Sequence, residues 1–230
     1  MTRTEMLVKL DQSIQDDSDL LDNATRLAFL DEAVKVYSED NPREVSESFA
    51  GNGAYDYALP TDWVEEFSTI LAVEYPGGYQ VPNYLDLSDV VLYDDGDGDA
   101  RMLRFLYHTP SATETFIITH TAPHTLNDTT NTIPVPDQDA VVNLAAAYCC
   151  NALAMKLAQS AKGRDPNLET TVYLWRSVNR YREMARAFEG NYNRKVGGGT
   201  PAASSSHQIK TRPSWSGEIS YGFFRDRSIS

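Results

Sequence analysis

Apolar residues recur at helical spacing near the beginning of the chain and again in its last third. Near the beginning, intervals of three and four residues predict a short helix over residues 4–15 and a second helix from Asn23 to Asn41-Pro42. The alanine-rich stretch from Pro136 to Ala161 predicts a third helix that is apolar over most of its circumference. Because such a helix is buried on several sides, we expect it to be the central helix of a bundle.

Apolar rows define the faces of this central helix and of the helix that follows it. The central helix has one row at Val142, Ala146, Cys149, Leu153 and Leu157, and a second apolar edge at Leu144, Tyr148 and Met155. The last helix is predicted to begin at Asp165-Pro166 and to bury the row Leu168, Val172, Trp175, Val178, Ala185, Phe188 and Tyr192. The helix pairs at the two ends of the chain must therefore pack together, because each pair alone buries only one row.

Between residues 42 and 135 the pattern changes to short strands separated by turn residues. Residues 44–50 and 54–59 flank Gly51-Asn52-Gly53 and predict a hairpin, and residues 87–93 and 101–108 predict a second hairpin around an acidic turn. Further strands are predicted at residues 68–75 and 115–121.

The sequence thus predicts an α+β fold with three parts. An antiparallel bundle of about four helices (residues 1–41 and 136–194) carries an inserted small antiparallel β-sheet or sandwich (residues 42–135). An extended C-terminal tail follows (residues 195–230). We expect no membrane-spanning segment and no secretory leader.

The tail combines a flexible linker with aromatic residues. Gly197-Gly198-Gly199 and Ser204-Ser205-Ser206 indicate the linker. Disordered tails normally carry few aromatic residues, but this one contains a cluster of large apolar side chains: Trp215, Ile219, Tyr221, Phe223 and Phe224. We predict that the segment binds a partner chain, with docking onto its own domain as the alternative.

Charge is distributed unevenly along the chain. The formal net charge is −13, but residues 1–140 hold 7 Lys/Arg against 27 Asp/Glu, whereas residues 141–230 hold 13 against 6. A protein that grips DNA by its phosphates needs a basic face, so phosphate binding by the first 140 residues is excluded. Acidic bulk serves solubility, and it also lets DNA pass without sticking.

Four arginines give the last predicted helix a basic surface: Arg176, Arg180, Arg182 and Arg186. Two interpretations stay open. The arginines are a solvated helix face, or they form an intersubunit charge face that pairs with the acidic N-terminal half of a neighbouring copy.

No motif in the chain predicts catalysis, a cofactor or a metal site. The acidic run from Asp94 to Asp99 lacks the glycine and glutamate of a calcium-binding EF-hand loop, since counting from Asp95 places Ala100 at position six and Leu106 at position twelve. His120 and His124 stand at a strand end without a third ligand. The adjacent Cys149 and Cys150 fit the core of a protein in a reducing compartment.

Weak motifs follow one another in a fixed order between residues 57 and 136: Tyr57-Ala58-Leu59-Pro60-Thr61-Asp62-Trp63, Val73-Glu74-Tyr75-Pro76, Tyr84-Leu85, Leu103-Arg104-Phe105, Tyr107 to Pro110, Thr119 to Leu126, and Thr132-Ile133-Pro134-Val135-Pro136. Together with Phe29-Leu30-Asp31-Glu32-Ala33 in the leading helix pair, this order resembles head–tail adaptor proteins of tailed bacteriophages. The resemblance covers roughly residues 1–194 and does not extend in detail to the tail.

The resemblance implies a structural virion protein of the neck, assembled in the host cytoplasm, without catalysis or cofactor. It implies a homo-oligomeric ring of about twelve copies under the portal protein. The ring would line a channel for genomic DNA, without sequence-specific or membrane binding, and join the portal to the next tail or neck protein. The alternatives are a stopper, head-completion or tail-completion ring protein, which a pure β-barrel would favour, and more distantly a monomeric β-rich ligand-binding module.

Overall fold

The computed structural model describes residues 1–16, 19–94, 101–162 and 169–197. It has an α+β fold in which four long helices form a bundle and two small antiparallel sheets lie between the second and third helix in sequence. The helices are α1 (Arg3–Ile14), α2 (Asn23–Asp40), α3 (Gln138–Ala161) and α4 (Glu169–Tyr192). The predicted α+β class is therefore confirmed, while residues 198–230 of the tail, with its aromatic cluster, lie outside the described residues.

Side-chain caps fix the beginnings of the first two helices. The Thr2 side chain accepts a hydrogen bond from the Glu5 backbone N–H, and the Glu5 carboxylate accepts one from the Thr2 backbone N–H, which makes a capping box. Asp22 caps α2 by accepting from the backbone N–H of Thr25 at 2.9 Å. These caps place both helix starts within one or two residues of the positions that the sequence predicts.

The helix α3 is the centre of the bundle, as predicted, and packs against α1, α2 and α4. Ala145, Cys149 and Leu153 are fully buried, and the many alanines allow the neighbouring helices to approach closely. The segment Val135–Ala161 is long and apolar enough to span a membrane by length and composition alone, which the sequence analysis did not expect. The rest of the protein buries 61% of its most apolar 18-residue stretch, so the apolar character of the segment is that of a core helix.

Three apolar residues that the sequence assigns to buried rows are exposed. Met155 on α3 is 63% exposed, and Val172 and Trp175 on α4 are 39% and 45% exposed. The prediction is wrong at all three positions. On α4 the reason is that α3 is its main neighbour, and a single neighbouring helix covers only one side. Val178, Ala185 and Tyr192 mark the side that is buried.

The strands form two three-stranded antiparallel sheets. In the first sheet, β6 (Thr115–Ala122) lies between β1 (Arg43–Ala50) and β3 (Ile70–Glu74). In the second, β5 (Arg101–Phe105) lies between β2 (Asp56–Ala58) and β4 (Val90–Asp94). The β4–β5 pairing confirms the second predicted hairpin, whose turn lies outside the described residues.

The first predicted hairpin is wrong. The strand β1 pairs over its full length with β6, from Arg43 opposite Ala122 to Ala50 opposite Thr115, and β2 belongs to the other sheet. The glycine segment crosses between the sheets, with Gly51 N–H donating to the Glu114 carbonyl and Gly53 N–H to the Pro110 carbonyl, both at 2.8 Å. The Gly-Asn-Gly signal is therefore a crossover and not a hairpin turn.

The two sheets share an aromatic core. Tyr57 and Phe105 from the second sheet meet Phe116 from the first, with edge-to-face ring centroids 4.6–5.6 Å apart. The other buried members of this cluster are Val73, Val90, Leu103 and Ile118. This core is distinct from the one around α3.

A hydrogen-bonded junction joins the sheets to the helices. His124, two residues after β6, has its Nδ1 3.0 Å from the Thr132 carbonyl and its Nε2 3.0 Å from the carbonyl of Asn41 at the end of α2. The His124 backbone N–H donates to Ser38 Oγ at 2.9 Å. The exit from the first sheet is thereby held against the end of α2.

Candidate functional site

The residue types usually found in catalytic and metal sites occupy structural positions. Within the described ranges, no group of three or more His, Cys, Asp or Glu side chains is placed to hold a metal ion. His120 is fully buried and its two ring nitrogens have no hydrogen-bond partner in the part of the chain that the structure describes, whereas His124 belongs to the junction. Five of the six residues of the acidic run, residues 95–99, lie outside the described part of the chain.

Both cysteines are buried as free thiols inside the bundle. Burial raises the pKa of Cys149 to about 12 and that of Cys150 to about 11. Since the thiolate is the reactive form, both side chains act as apolar core residues and not as nucleophiles.

All four arginines of the predicted charge face are exposed on α4. Arg180 donates from Nη2 to Gln15 Oε1 at 2.6 Å, which ties α4 to the end of α1. Arg176, Arg182 and Arg186 form no ion pair with any residue that the structure describes. Their charges therefore face solvent in the single chain.

The four arginines divide into two flanks of the helix. At about 100° per residue, Arg182 and Arg186 fall close to the exposed Trp175, while Arg176 and Arg180 lie on the other flank. We call Trp175, Arg182 and Arg186 the α4 stripe. An exposed aromatic ring on the same flank as unpaired guanidinium groups is a composition enriched at protein interfaces.

A cleft of about 590 Å³ opens where α2 meets the β-rich region. Its walls are one side of α2, the segment of residues 64–67 before β3, and the segment of residues 123–126 after β6. We call it the α2 cleft. Its lining consists of Asp31, Val34, Lys35, Ser38, Glu39, Val64, Glu65, Glu66, Phe67, Pro123, His124, Thr125 and Leu126.

The α2 cleft has an apolar floor and an acidic rim. Four carboxylates and one lysine line it. Asp31 pairs with Arg3 at 2.5 Å and Glu65 with Arg101 at 3.2 Å. The other two carboxylates, Glu39 and Glu66, have no ion pair among the described residues, and neither does Lys35, so the unpaired groups of the rim sum to a net negative charge.

Hydrogen bonds hold the walls of the cleft in place. Ser38 Oγ donates to the Val34 carbonyl within α2 and accepts from the His124 backbone across the cleft floor. On the opposite wall, the Val64 N–H donates to Ser68 Oγ at 2.9 Å. The backbone of Glu66 adopts a left-handed conformation with φ of 65°, which is uncommon for a residue other than glycine. The cleft is therefore preformed.

His124 in the cleft lining and Tyr37 behind it are uncharged near neutral pH. Burial lowers the pKa of His124, against the opposing effect of its hydrogen bonds to the Asn41 and Thr132 carbonyls. Burial also raises the pKa of Tyr37 to about 12, and the hydrogen bond that Tyr37 donates to Asp137 at 2.8 Å acts in the same direction. Neither side chain therefore offsets the negative charge of the rim.

The α2 cleft could not be predicted from the sequence. Its lining comes from three segments separated by up to about ninety positions, and no local pattern links them. Trp175 was assigned to the buried row, so its role in the stripe was also missed. The angular position of Trp175 on the helix indicates its exposure, because Trp175 lies about 60° from Val178 around the helix axis, at the margin of the buried side.

Comparisons with known proteins give matches among solved structures only. No protein-family model matches the chain, and no curated protein matches it. One similar structure is the neck of an empty gene transfer agent particle computed with C6 symmetry, at 16% identity over 76% of this chain and 88% of that chain, with a TM-score of 0.30. Another is the neck of a native gene transfer agent particle computed with C12 symmetry, at 19% identity over 76% and 90%, with a TM-score of 0.26.

A third match is to the virion of a native gene transfer agent particle, at 17% identity over 76% of this chain and 88% of that chain, with a TM-score of 0.27. The structure neighbours are thus chains of gene transfer agent virions, two of them described as neck. At these TM-scores we argue the function from the chain's own residues.

Proposed function

We propose that this protein is a non-enzymatic structural component of a virion neck, a head-to-tail adaptor of the kind found in tailed bacteriophages. In this role it forms a ring, about twelve copies by the resemblance, beneath the portal protein and joins the portal to the next neck or tail component. The protein is assembled in the host cytoplasm and resides in the virion.

The observation that carries the proposal is the ordered series of motifs from Tyr57 to Pro136 that resembles head–tail adaptors. The series runs through the β-rich region and ends at the start of α3, where the bundle begins again. Long helices around a buried central helix also disfavour the stopper or tail-completion alternative, for which a pure β-barrel is expected.

Charge supports the same role. The first 140 residues carry far more carboxylates than cations, so a channel built from them repels the phosphates of passing DNA and avoids sequence-specific binding. The basic α4 face then serves contacts between copies, and the aromatic tail (Trp215, Ile219, Tyr221, Phe223 and Phe224) serves binding to the portal or to a neighbouring subunit.

Mixing with a purified portal ring tests this function. We expect the full chain to co-sediment with the portal ring, and a chain truncated after Val196 to lose most of that binding. A chain that stays at the mass of one copy with the portal present, in light scattering, would instead support the monomeric ligand-binding module. Equal binding by the truncated chain would remove the tail from the proposal.

A further inference from the structure

The α4 stripe and the α2 cleft are complementary in charge, in apolar character and in length. We propose that the α2 cleft of one copy receives the α4 stripe of a second copy of this chain. The inference rests on the proposed ring and deepens it, because it names the two surfaces by which neighbouring copies meet.

Charge complementarity is the first support. Arg182 and Arg186 have no ion-pair partner among the described residues of their own chain, and neither do Glu39 and Glu66. Guanidinium groups bind carboxylates with good geometry, and opposite charges that approach from different chains also guide the encounter. The cleft also holds the unpaired Lys35, but its two unpaired carboxylates outnumber that one cation and attract the two arginines.

Apolar surface is the second support. Trp175, on the same flank of α4 as the two arginines, is 45% exposed. The cleft offers an apolar floor of Val34, Phe67 and Leu126 within its acidic rim. An aromatic ring that enters an apolar floor while arginines meet the rim has the arrangement of an interface hot spot, with a desolvated centre and a polar periphery.

Dimensions agree with this docking. From Trp175 to Arg186 the stripe spans eleven residue steps, about 16 Å at 1.5 Å per residue. The α2 wall of the cleft runs from Asp31 to Glu39, about 12 Å on the same measure. One helix flank laid along such a cleft is a common recognition mode, anchored by residues on one side of the inserted helix.

The two surfaces differ, so the contact is head-to-tail. The stripe and the cleft lie on different helices, and each copy presents both. Heterologous contacts of this kind leave one free stripe and one free cleft at the ends of every open assembly, and they close into a ring when the rotation per copy permits. The proposed contact therefore accounts for a ring without requiring two-fold symmetry.

Charge reversal tests the inference. Each surface is reversed in a separate variant, and the two variants are then mixed. One variant carries Arg182→Glu with Arg186→Glu, and the other carries Glu39→Arg with Glu66→Arg. Association is measured by sedimentation velocity over a concentration series, alone and with a portal ring, and far-ultraviolet circular dichroism verifies that each variant is folded. Matched controls are Glu183→Arg, which is exposed on the other flank of α4, and Glu32→Arg, which is exposed on α2 outside the cleft lining.

We expect each double variant alone to lose contact between copies, with at least a tenfold weaker association than the unaltered chain. A one-to-one mixture of the two should associate again, because the acidic stripe of one variant matches the basic cleft of the other. Both control variants should associate like the unaltered chain. Failure of the mixture to associate, or equal loss in the controls, would overturn the inference.

Site-specific cross-linking gives an independent readout. The variant Glu39→Cys with Arg186→Cys, treated with oxidised glutathione, should give a ladder of disulfide-linked copies, since the native Cys149 and Cys150 are buried. If copies of this chain bind to the portal ring but no disulfide-linked copies form, the cleft contact is refuted and the adaptor function stands. Absence of any loading on the portal ring would refute the adaptor function itself.

Discussion

Gly51 offers the most direct mutational test of the crossover between the two sheets. A Cβ atom at this position would lie 2.2 Å from the Ser111 carbonyl oxygen and 2.5 Å from that of Pro110. Both are backbone atoms that no rotamer change can move. The variant Gly51→Ala must therefore displace the segment of residues 110–114 or the start of the crossover itself.

The size of the effect follows from these contacts. Overpacking costs about 1–3 kcal/mol, and weakening the two backbone hydrogen bonds of the crossover adds about 1 kcal/mol, so we expect about 3 kcal/mol lower unfolding free energy. For a chain of this size the melting temperature should fall by about 10 °C. In a simple hairpin turn, as the sequence suggested, no such clash would arise.

Thermal and urea unfolding, followed by circular dichroism, measure this loss. Gly190→Ala is the matched control, because a Cβ there meets no atom within 4 Å and alanine favours the helix by about 1 kcal/mol. If Gly51→Ala unfolds at the same temperature as the unaltered chain, the crossover described here is refuted.

Two further predictions concern the buried residues. Leu153→Ala in the fully buried centre of α3 should lower the unfolding free energy by about 2–5 kcal/mol, whereas Met155→Ala, at an exposed position on the same helix, should change it by less than about 0.5 kcal/mol in urea titrations. His120→Phe should reduce the loss of stability between pH 7 and pH 5. Burial lowers the pKa of His120 in the folded chain; the charges of Glu47 and Asp62 oppose this effect, and that of Arg43 adds to it. As the pH falls through about 6.5, the unfolded chain therefore binds more protons than the folded chain, and the folded chain loses stability. Unfolding curves at several pH values check this prediction, and an unchanged slope in the variant would contradict it. His124 has a pKa lowered in the same direction, so the variant should keep part of the slope.

The helices were predictable because their signals are local. Caps such as Thr2 and Asp22 and the alanine-rich composition of α3 act over one or two turns, and packing reinforces them. The β4–β5 hairpin was predictable for the same reason, since its two strands are neighbours in sequence.

Pairing over long sequence distances was not predictable. The strand β1 finds its partner in β6, about seventy residues away, because both present eight residues that match in length and face. A Gly-Asn-Gly segment looks the same whether it turns the chain back or carries it across to another sheet. The α2 cleft depends on that same long-range pairing, which brings residues 123–126 to α2.

The exposure of Trp175 could not be read from periodicity either. A helix row shows which residues share a side, but not how many neighbouring helices cover it. Gln15, at the end of α1, accepts a hydrogen bond from Arg180 of α4, and Arg180 lies more than one turn beyond Trp175. The first turns of α4 therefore keep an aromatic ring available for another chain.

Native mass spectrometry of the complex with a purified portal ring tests the central claim most directly. The account predicts a defined complex in which about twelve copies of this chain are bound to one portal ring, matching a closed ring of neighbours. A single copy bound to the ring, or no complex at any concentration, would contradict it.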